Sequence, residues 1–126
     1  MWPLPFAVNK GERFAFAKAV TDRQFAESQE IRARFRERFI GLFGADSVLL
    51  LPTMPDIAPL LVESEDTLND YRNKALNLLC LAGLSGLPQV SLPAASRLGA
   101  PLGLSLLGPA GSDLSLVRLA ARLAAA

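Results

Sequence analysis

The sequence contains no histidine, and this absence excludes several kinds of catalytic site at once. Serine–histidine–aspartate and cysteine–histidine catalysis need an imidazole, and most zinc and non-haem iron sites use one as a ligand. The single cysteine, Cys80, excludes an internal disulfide framework and gives no reason to invoke an oxidising compartment. We therefore expect a cytoplasmic protein that holds neither a metal ion nor another cofactor.

The sequence also lacks long apolar runs and an excess of one charge. No run approaches the roughly 18 apolar residues that a membrane-spanning helix requires, and Pro3 and Pro5 make the apolar start a poor signal peptide. Thirteen basic and twelve acidic residues give a net charge of +1, so nothing favours binding to nucleic acid or an anionic membrane. The hydrophobic fraction, 51%, is high for 126 residues. Part of the surface is therefore expected to be covered by something outside this chain.

A long helix is predicted over residues 21–43. Thr21 and Gln24 form a capping-box pattern at its start, and Gly44 is expected to end it. A shorter helical turn is indicated over 13–20. The apolar side of the long helix consists of residues at helical spacing: Ile31, Phe35, Phe39 and Leu42.

Two further helices are predicted at 65–82 and 113–124. Ser64 precedes the first helix, whose opening turn is acidic, as the helix dipole favours. Gly83 is expected to end that helix, because glycine is the common C-terminal stop. Ser112 is predicted to cap the last helix with its hydroxyl group.

Three short apolar segments bounded by glycine and proline predict strands at 47–51, 89–93 and 101–107. The first is continuously apolar, which is typical of a strand buried on both faces. The other two are joined by a short loop containing Gly99, which favours an antiparallel pair. The order helix, strand, helix, strand, strand, helix indicates an α/β fold in which a few mixed strands form an incomplete sheet covered by helices.

None of the reactive side chains is marked out as a catalytic group. Cys80 lies between leucines, where an apolar setting raises a thiol pKa and favours the role of a small hydrophobe. The glycines lack phosphate-loop spacing, and none of the three lysines lies in a Gly/Ser-rich turn. The acidic cluster near one helix start suits the helix dipole better than acid–base or metal chemistry; it consists of Glu63, Glu65 and Asp66.

Three segments in order carry a family resemblance: DSVLLLPTMPDIAP at 46–59, AGLSGLPQVSLP at 82–93 and APLGLSLLG at 100–108. Together with the predicted helices between them, they resemble the C-terminal region of amidase signature enzymes. The resemblance covers about residues 12–125, and its details are most similar to the indoleacetamide hydrolase-like branch. Each motif alone is weak evidence, whereas three in the same order are specific.

The resemblance implies hydrolysis of carbon–nitrogen bonds in linear amides by a serine, cis-serine and lysine triad, without histidine, metal or cofactor. In that family the triad lies in a Gly/Ser-rich signature that this sequence lacks, so no catalytic residue is assigned and this chain alone is expected to be inactive. The resemblance further implies that the helix before the second motif faces the substrate cavity. The pocket-wall candidates on it are Arg72, Ala75, Leu76 and Leu79, for which ordinary core packing is the alternative.

We interpret residues 1–126 as a single partial domain, the C-terminal portion of an amidase domain, with 1–12 irregular. Three interpretations stay open: a truncated product, a split subunit that assembles with an N-terminal half, or a non-catalytic module. The expected partners are a small amide substrate, bound only with the N-terminal portion, and that portion itself or a second copy. A different hypothesis is a helical interaction module that binds acidic partners through the arginine-rich helix 21–43.

Overall fold

Four helices and three strands make up the secondary structure of residues 10–125, the part of the chain that the computed structural model describes. This arrangement confirms the predicted α/β class. Within these residues, no helix is both long enough and apolar enough to span a membrane. In chain order the elements are α1 (Lys10–Ala19), α2 (Asp22–Ile40), β1 (Leu49–Pro52), α3 (Glu65–Ser85), β2 (Gln89–Arg97), β3 (Ala100–Leu107) and α4 (Asp113–Ala124).

The three strands form a sheet in the order β1–β3–β2, and within the described residues both pairs are antiparallel rather than mixed. The predicted antiparallel pairing of the last two strands is confirmed. Their connection consists of Leu98 and Gly99, with φ values of 52° and 79°. Positive φ at both positions is the requirement of a type I′ turn, whose twist matches the strands it joins. The hairpin therefore closes through two residues only.

Successive side chains along β3 point to opposite faces of the sheet, so the core is divided between the two faces. Leu107 contributes to one face and Leu106 to the other, and both are almost fully buried. The Leu107 face packs against α2 and the end of α3, and the Leu106 face packs against α4. The first cluster contains Phe39, Leu51, Leu87 and Leu107, and the second contains Leu92, Leu106, Leu116 and Ala120.

The starts of α2 and α3 agree with the capping patterns in the sequence. Gln24 donates its backbone N–H to Thr21 Oγ1 at 3.3 Å, and the Gln24 side chain accepts from the Thr21 backbone N–H at 2.9 Å. Ser64 Oγ likewise accepts from the backbone N–H of Thr67 at 3.2 Å. These bonds join residues three positions apart, so local sequence is sufficient to predict them.

The predicted ends of the same helices are wrong. The helix α2 ends at Ile40, with Gly41 as its cap, before the predicted residue 43. The helix α3 continues through Gly83 to Ser85, because Gly86 is the residue that takes the left-handed conformation, with φ of 73°. Its end is also bound from outside: Arg32 donates to the carbonyl oxygens of Gly83 and Leu84. A cation at this end complements the helix dipole.

Two predictions near the chain ends are also corrected. Ser112 precedes α4 but makes no side-chain capping bond, since its ψ of 10° differs from the extended conformation of a capping residue. The first helix begins at Lys10, so residues 10–12 are helical rather than irregular, and the helical turn predicted at 13–20 lies largely within it. The predicted irregularity of residues 1–9 lies outside the described residues.

The first strand is not buried on both faces as its apolar run predicts. Leu51 is buried, but Leu50 on the opposite face is 57% exposed. Within the described residues, β1 pairs only with β3 and forms one edge of the sheet. The second strand continues past its predicted end at 93 because a bulge between Pro93 and Ala95 accommodates the proline, which lacks a backbone donor.

Candidate functional site

A row of hydroxyl groups crosses the sheet from strand to strand. Ser105 on β3 lies between Ser91 on β2 and Thr53, which directly follows β1, and its Oγ is 2.8 Å from the hydroxyl oxygen of each. Ser105 is completely buried, whereas Ser91 is exposed and Thr53 half-buried. Because a hydroxyl group both donates and accepts, each bond can satisfy the buried oxygen. The row is thus a hydrogen-bonded chain that leads from the core to the surface.

Asp56 joins the loop after β1 to two other elements. Its carboxylate forms an ion pair with Arg97 at the end of β2, and its Oδ1 accepts the backbone N–H of Ile57 at 2.8 Å. Its carbonyl oxygen accepts a hydrogen bond from the Tyr71 hydroxyl of α3 at 3.0 Å. One residue therefore holds the loop against both the hairpin and a helix.

These contacts change the acid–base behaviour of the groups involved. The hydrogen bond from Arg97, and then the one from the Ile57 backbone, lower the pKa of Asp56 below its usual value. The same pairing raises the pKa of Arg97, so its guanidinium stays charged. Partial burial, and then the Asp56 charge, raise the pKa of Tyr71. All three shifts favour the protonation states that hold the loop, namely charged Asp56, charged Arg97 and neutral Tyr71. None of them produces a base poised near neutral pH.

A cavity of about 340 Å³ lies between this loop and the hairpin. Met54 and Pro55 form its loop side, and Leu102 and Leu104 form its floor on β3. Small residues, Ala94, Ala95 and Gly103, leave space in its wall, and the Asp56–Arg97 pair lies at one end. The cavity is apolar with one charged end.

The four pocket-wall candidates all lie on α3, at spacings that place them on one side of the helix. Ala75 is buried in the core, which matches the core-packing alternative for this residue. Leu76 is half-buried, Arg72 is exposed and bonds to Asn69 at 3.1 Å, and Leu79 is 41% exposed. They share a side of the helix, but the cavity beside Asp56 is lined by other residues. Their assignment as a pocket wall stays a prediction.

The remaining chemistry-bearing side chains do not converge. Among residues 10–125 there is no group of three or more carboxylate and thiol side chains that could hold a metal ion. Cys80 is half-buried and makes no disulfide. Glu65 and Asp66 occupy the first turn of α3, as predicted from the helix dipole.

A larger groove, of about 790 Å³, runs along the outer side of α2. Ile31 and Leu42 line it and are 60% and 76% exposed. Phe35 and Phe39 stack beneath them, with ring centres 5.2 Å apart. This apolar strip is the predicted apolar side of the helix, but only Phe39 is buried in the core.

Comparison with known proteins identifies the chain. The profile of the family described as Amidase matches residues 7–117. The chain belongs to the amidase family. Over 109 residues it is 36% identical to Amidase 1 of Oryza sativa, and the match covers 86% of this chain and 25% of the rice protein.

Two further comparisons agree with this amidase assignment. A glutamyl-tRNA(Gln) amidotransferase protein from Halobacterium salinarum is 32% identical over 109 residues, covering 86% of this chain and 25% of that protein. A crystal structure of an amidase superposes with a TM-score of 0.76 at 27% identity, covering 95% of this chain and 29% of that one. The chain thus spans about a quarter of the length of the curated relatives it matches.

Sequence reasoning about this amidase chain missed the hydroxyl row and the Asp56–Arg97 pair. Both join residues far apart in sequence, separated by 52 positions for Thr53 and Ser105 and by 41 for Asp56 and Arg97. One signal was available, because Ser105 lies within an otherwise apolar strand. A polar residue inside a buried strand requires a partner.

Proposed function

We propose that this chain forms the C-terminal part of an amidase that hydrolyses carbon–nitrogen bonds of linear amides. Its role is to supply late strands of the sheet, the helices over them and one wall of the substrate pocket. The catalytic triad belongs to the portion of an amidase that this chain does not contain. The single cysteine supports a cytoplasmic location as part of the same proposal.

The observation that carries the pocket-wall role is the surface of α3. Leu79 is 41% exposed and Leu76 half-buried, beside the exposed Arg72. Apolar side chains next to one charged group are the usual composition of a small-molecule pocket, in which apolar contacts supply binding and a polar group supplies orientation. A linear amide with an apolar acyl part fits such a wall.

The alternative hypothesis, a module that binds acidic partners through the arginines of α2, is less well supported. Arg32 donates to the carbonyl oxygens at the end of α3, and Arg23 pairs with Glu27 on its own helix. Two of the arginines therefore have internal roles. Salt-sensitive binding of this chain to an acidic peptide would support the alternative.

The proposal is tested with a chimaera in which this chain replaces the matching segment of rice Amidase 1. The chimaera is expected to hydrolyse small aryl and alkyl amides, and this chain alone is expected to show no turnover above background. Leu79→Trp is expected to lower kcat/KM for amides with a large acyl part by about tenfold, since displaced apolar contacts in a pocket cost about 1–3 kcal/mol.

Asn77→Trp is the matched control, because this exposed residue lies on the opposite side of α3. It should leave kcat/KM for every amide within about twofold of the parent. Equal effects of the two tryptophans, or amide turnover by the isolated chain, would contradict the proposal.

A further inference from the structure

We propose that the groove on α2 binds an amphipathic helix with acidic residues along one flank, contributed by the portion of an amidase that this chain does not contain. This inference rests on the proposed function. The groove is the space of about 790 Å³ whose lining is formed by α2 and the turn after it: Ile31, Arg34, Phe35, Glu37, Arg38, Phe39 and Leu42.

Exposure of large apolar side chains is the first argument. Ile31 and Leu42 keep more than half of their surface in the solvent although they continue the strip formed by the stacked Phe35 and Phe39. Burial of such side chains is favourable in proportion to the apolar area removed from water. A continuous apolar strip on a helix is the usual binding face for another helix.

The dimensions of the strip favour a helix as the occupant. Within α2, from Ile31 to Phe39, the strip is about 12 Å long at a rise of about 1.5 Å per residue, which is more than two helical turns. Leu42, in the turn that follows α2, extends it further. Helices that pack through ridges and grooves lie about 8–10 Å apart, a separation that a groove lined by exposed isoleucine and leucine allows.

Charge at the rim specifies the chemistry of that helix. Arg34 and Arg38 line the same groove, together with one acidic residue, Glu37. No ion pair to Arg34 or Arg38 occurs in the part of the chain that the structure describes, in contrast to Arg23, which pairs with Glu27. Acidic side chains beside the apolar face of the occupant would complement these two cations.

The lengths of the relatives identify the source of the occupant. The solved amidase superposes on 95% of this chain with only 29% of its own length, so most of that protein lies outside the matched region. The corresponding portion of an amidase is therefore the partner with enough surface to cover this groove, and a second copy of this chain is the competing occupant.

The experiment compares the same substitutions in two contexts, this chain alone and its chimaera with rice Amidase 1. Ile31→Glu and Leu42→Glu place a charge in the groove, and Ala33→Glu places one on the exposed opposite side of α2. In the isolated chain all three should change the melting temperature by less than about 2 °C. In the chimaera the two groove variants should lower it by about 5 °C while Ala33→Glu remains neutral.

The charge argument has its own arm. The double variant Arg34→Glu with Arg38→Glu should also lower the melting temperature of the chimaera, and 0.5 M salt, which screens exposed charges, should reduce that loss by roughly half. The isolated chain carrying the same pair should show a smaller loss, limited to the helix-dipole cost of a glutamate for Arg38 in the last turn of α2.

Several outcomes would overturn the inference. Groove variants that behave like Ala33→Glu in the chimaera would show that nothing covers the groove, and an insoluble parent chimaera would show that the surfaces are not complementary. A dimer of the isolated chain that Ile31→Glu converts to a monomer would assign the groove to a second copy. The proposed function fails separately if the chimaera folds and its melting temperature is lowered by Ile31→Glu but not by Ala33→Glu, yet it hydrolyses no amide.

Discussion

Replacing Ser105 with alanine tests whether the hydroxyl row stabilises the sheet. Ser105 has no exposed surface, and its Oγ makes two hydrogen bonds of 2.8 Å, one to Thr53 and one to Ser91. Each such bond contributes about 1 kcal/mol net. The exposed Ser91 can replace its lost partner with water, whereas the half-buried Thr53 can do so only in part. We therefore expect Ser105→Ala to lower the free energy of unfolding by about 1–2 kcal/mol.

The assay is urea denaturation of the chain followed by far-ultraviolet circular dichroism, with a thermal scan as a second measurement. At an unfolding entropy of about 2.1 cal/mol/K per residue, a chain of this length should lose roughly 4 °C of melting temperature per kcal/mol. Ser91→Ala is the matched control, since it removes one bond to an exposed partner, and should cost less than about 0.5 kcal/mol.

A double-mutant cycle isolates the buried bond. In the background of Thr53→Val, Ser105→Ala should cost about 0.5–1 kcal/mol less than in the parent, because one of its two partners is already absent. A neutral Ser105→Ala variant, or one no worse than Ser91→Ala, would refute the reasoning that the row is held by its buried member.

Three further substitutions test the hairpin, α3 and the loop after β1. Gly103→Ala should lower the free energy of unfolding by about 1–3 kcal/mol, since an added Cβ would lie 2.7 Å from Thr53 Oγ1 and 2.9 Å from Thr53 Cβ. Gly83 lies inside α3, and an added Cβ there would have no atom within 4 Å. Gly83→Ala should therefore raise the free energy of unfolding by about 0.5–1 kcal/mol. If chemical denaturation shows that both alanine variants change this free energy in the same direction, the reasoning is contradicted. The hydrogen bond from Arg97 lowers the pKa of Asp56 in the folded protein. The ion pair between them therefore stabilises the fold above about pH 4, and this stabilisation is lost as the pH falls through the folded-state pKa of Asp56. Asp56→Asn should therefore reduce the fall in melting temperature between neutral and acid pH, and a variant with the full acid-induced fall of the parent would refute the link.

Part of the candidate site follows from local periodicity. The side of α3 shared by Arg72, Leu76 and Leu79 follows from helical spacing, and the structure places them there. Whether that side faces a substrate depends on surfaces outside this chain, which periodicity does not describe. Ala75 illustrates the difference, because the same spacing pattern contains a residue that is buried in the core.

The sequence by itself determined the features whose interactions join near neighbours. The starts of α2 and α3 depend on bonds from Thr21 and Ser64 to residues three positions away. A short connection containing Gly99 also follows from the sequence, but the two-residue turn does not, because positive φ at Leu98 goes against the backbone preference of a leucine. The three motifs, being a matter of order and residue type, were also sufficient to indicate the amidase family.

Tertiary structure decided what depends on partners distant in the chain. The end of α3 depends on Arg32 of another helix as well as on Gly86. The exposure of Leu50 depends on which strands stand beside β1, since an apolar run has the same composition at the edge and in the middle of a sheet. The hydroxyl row and the Asp56–Arg97 pair exist only once the sheet register is set, because register brings together side chains that no local pattern relates.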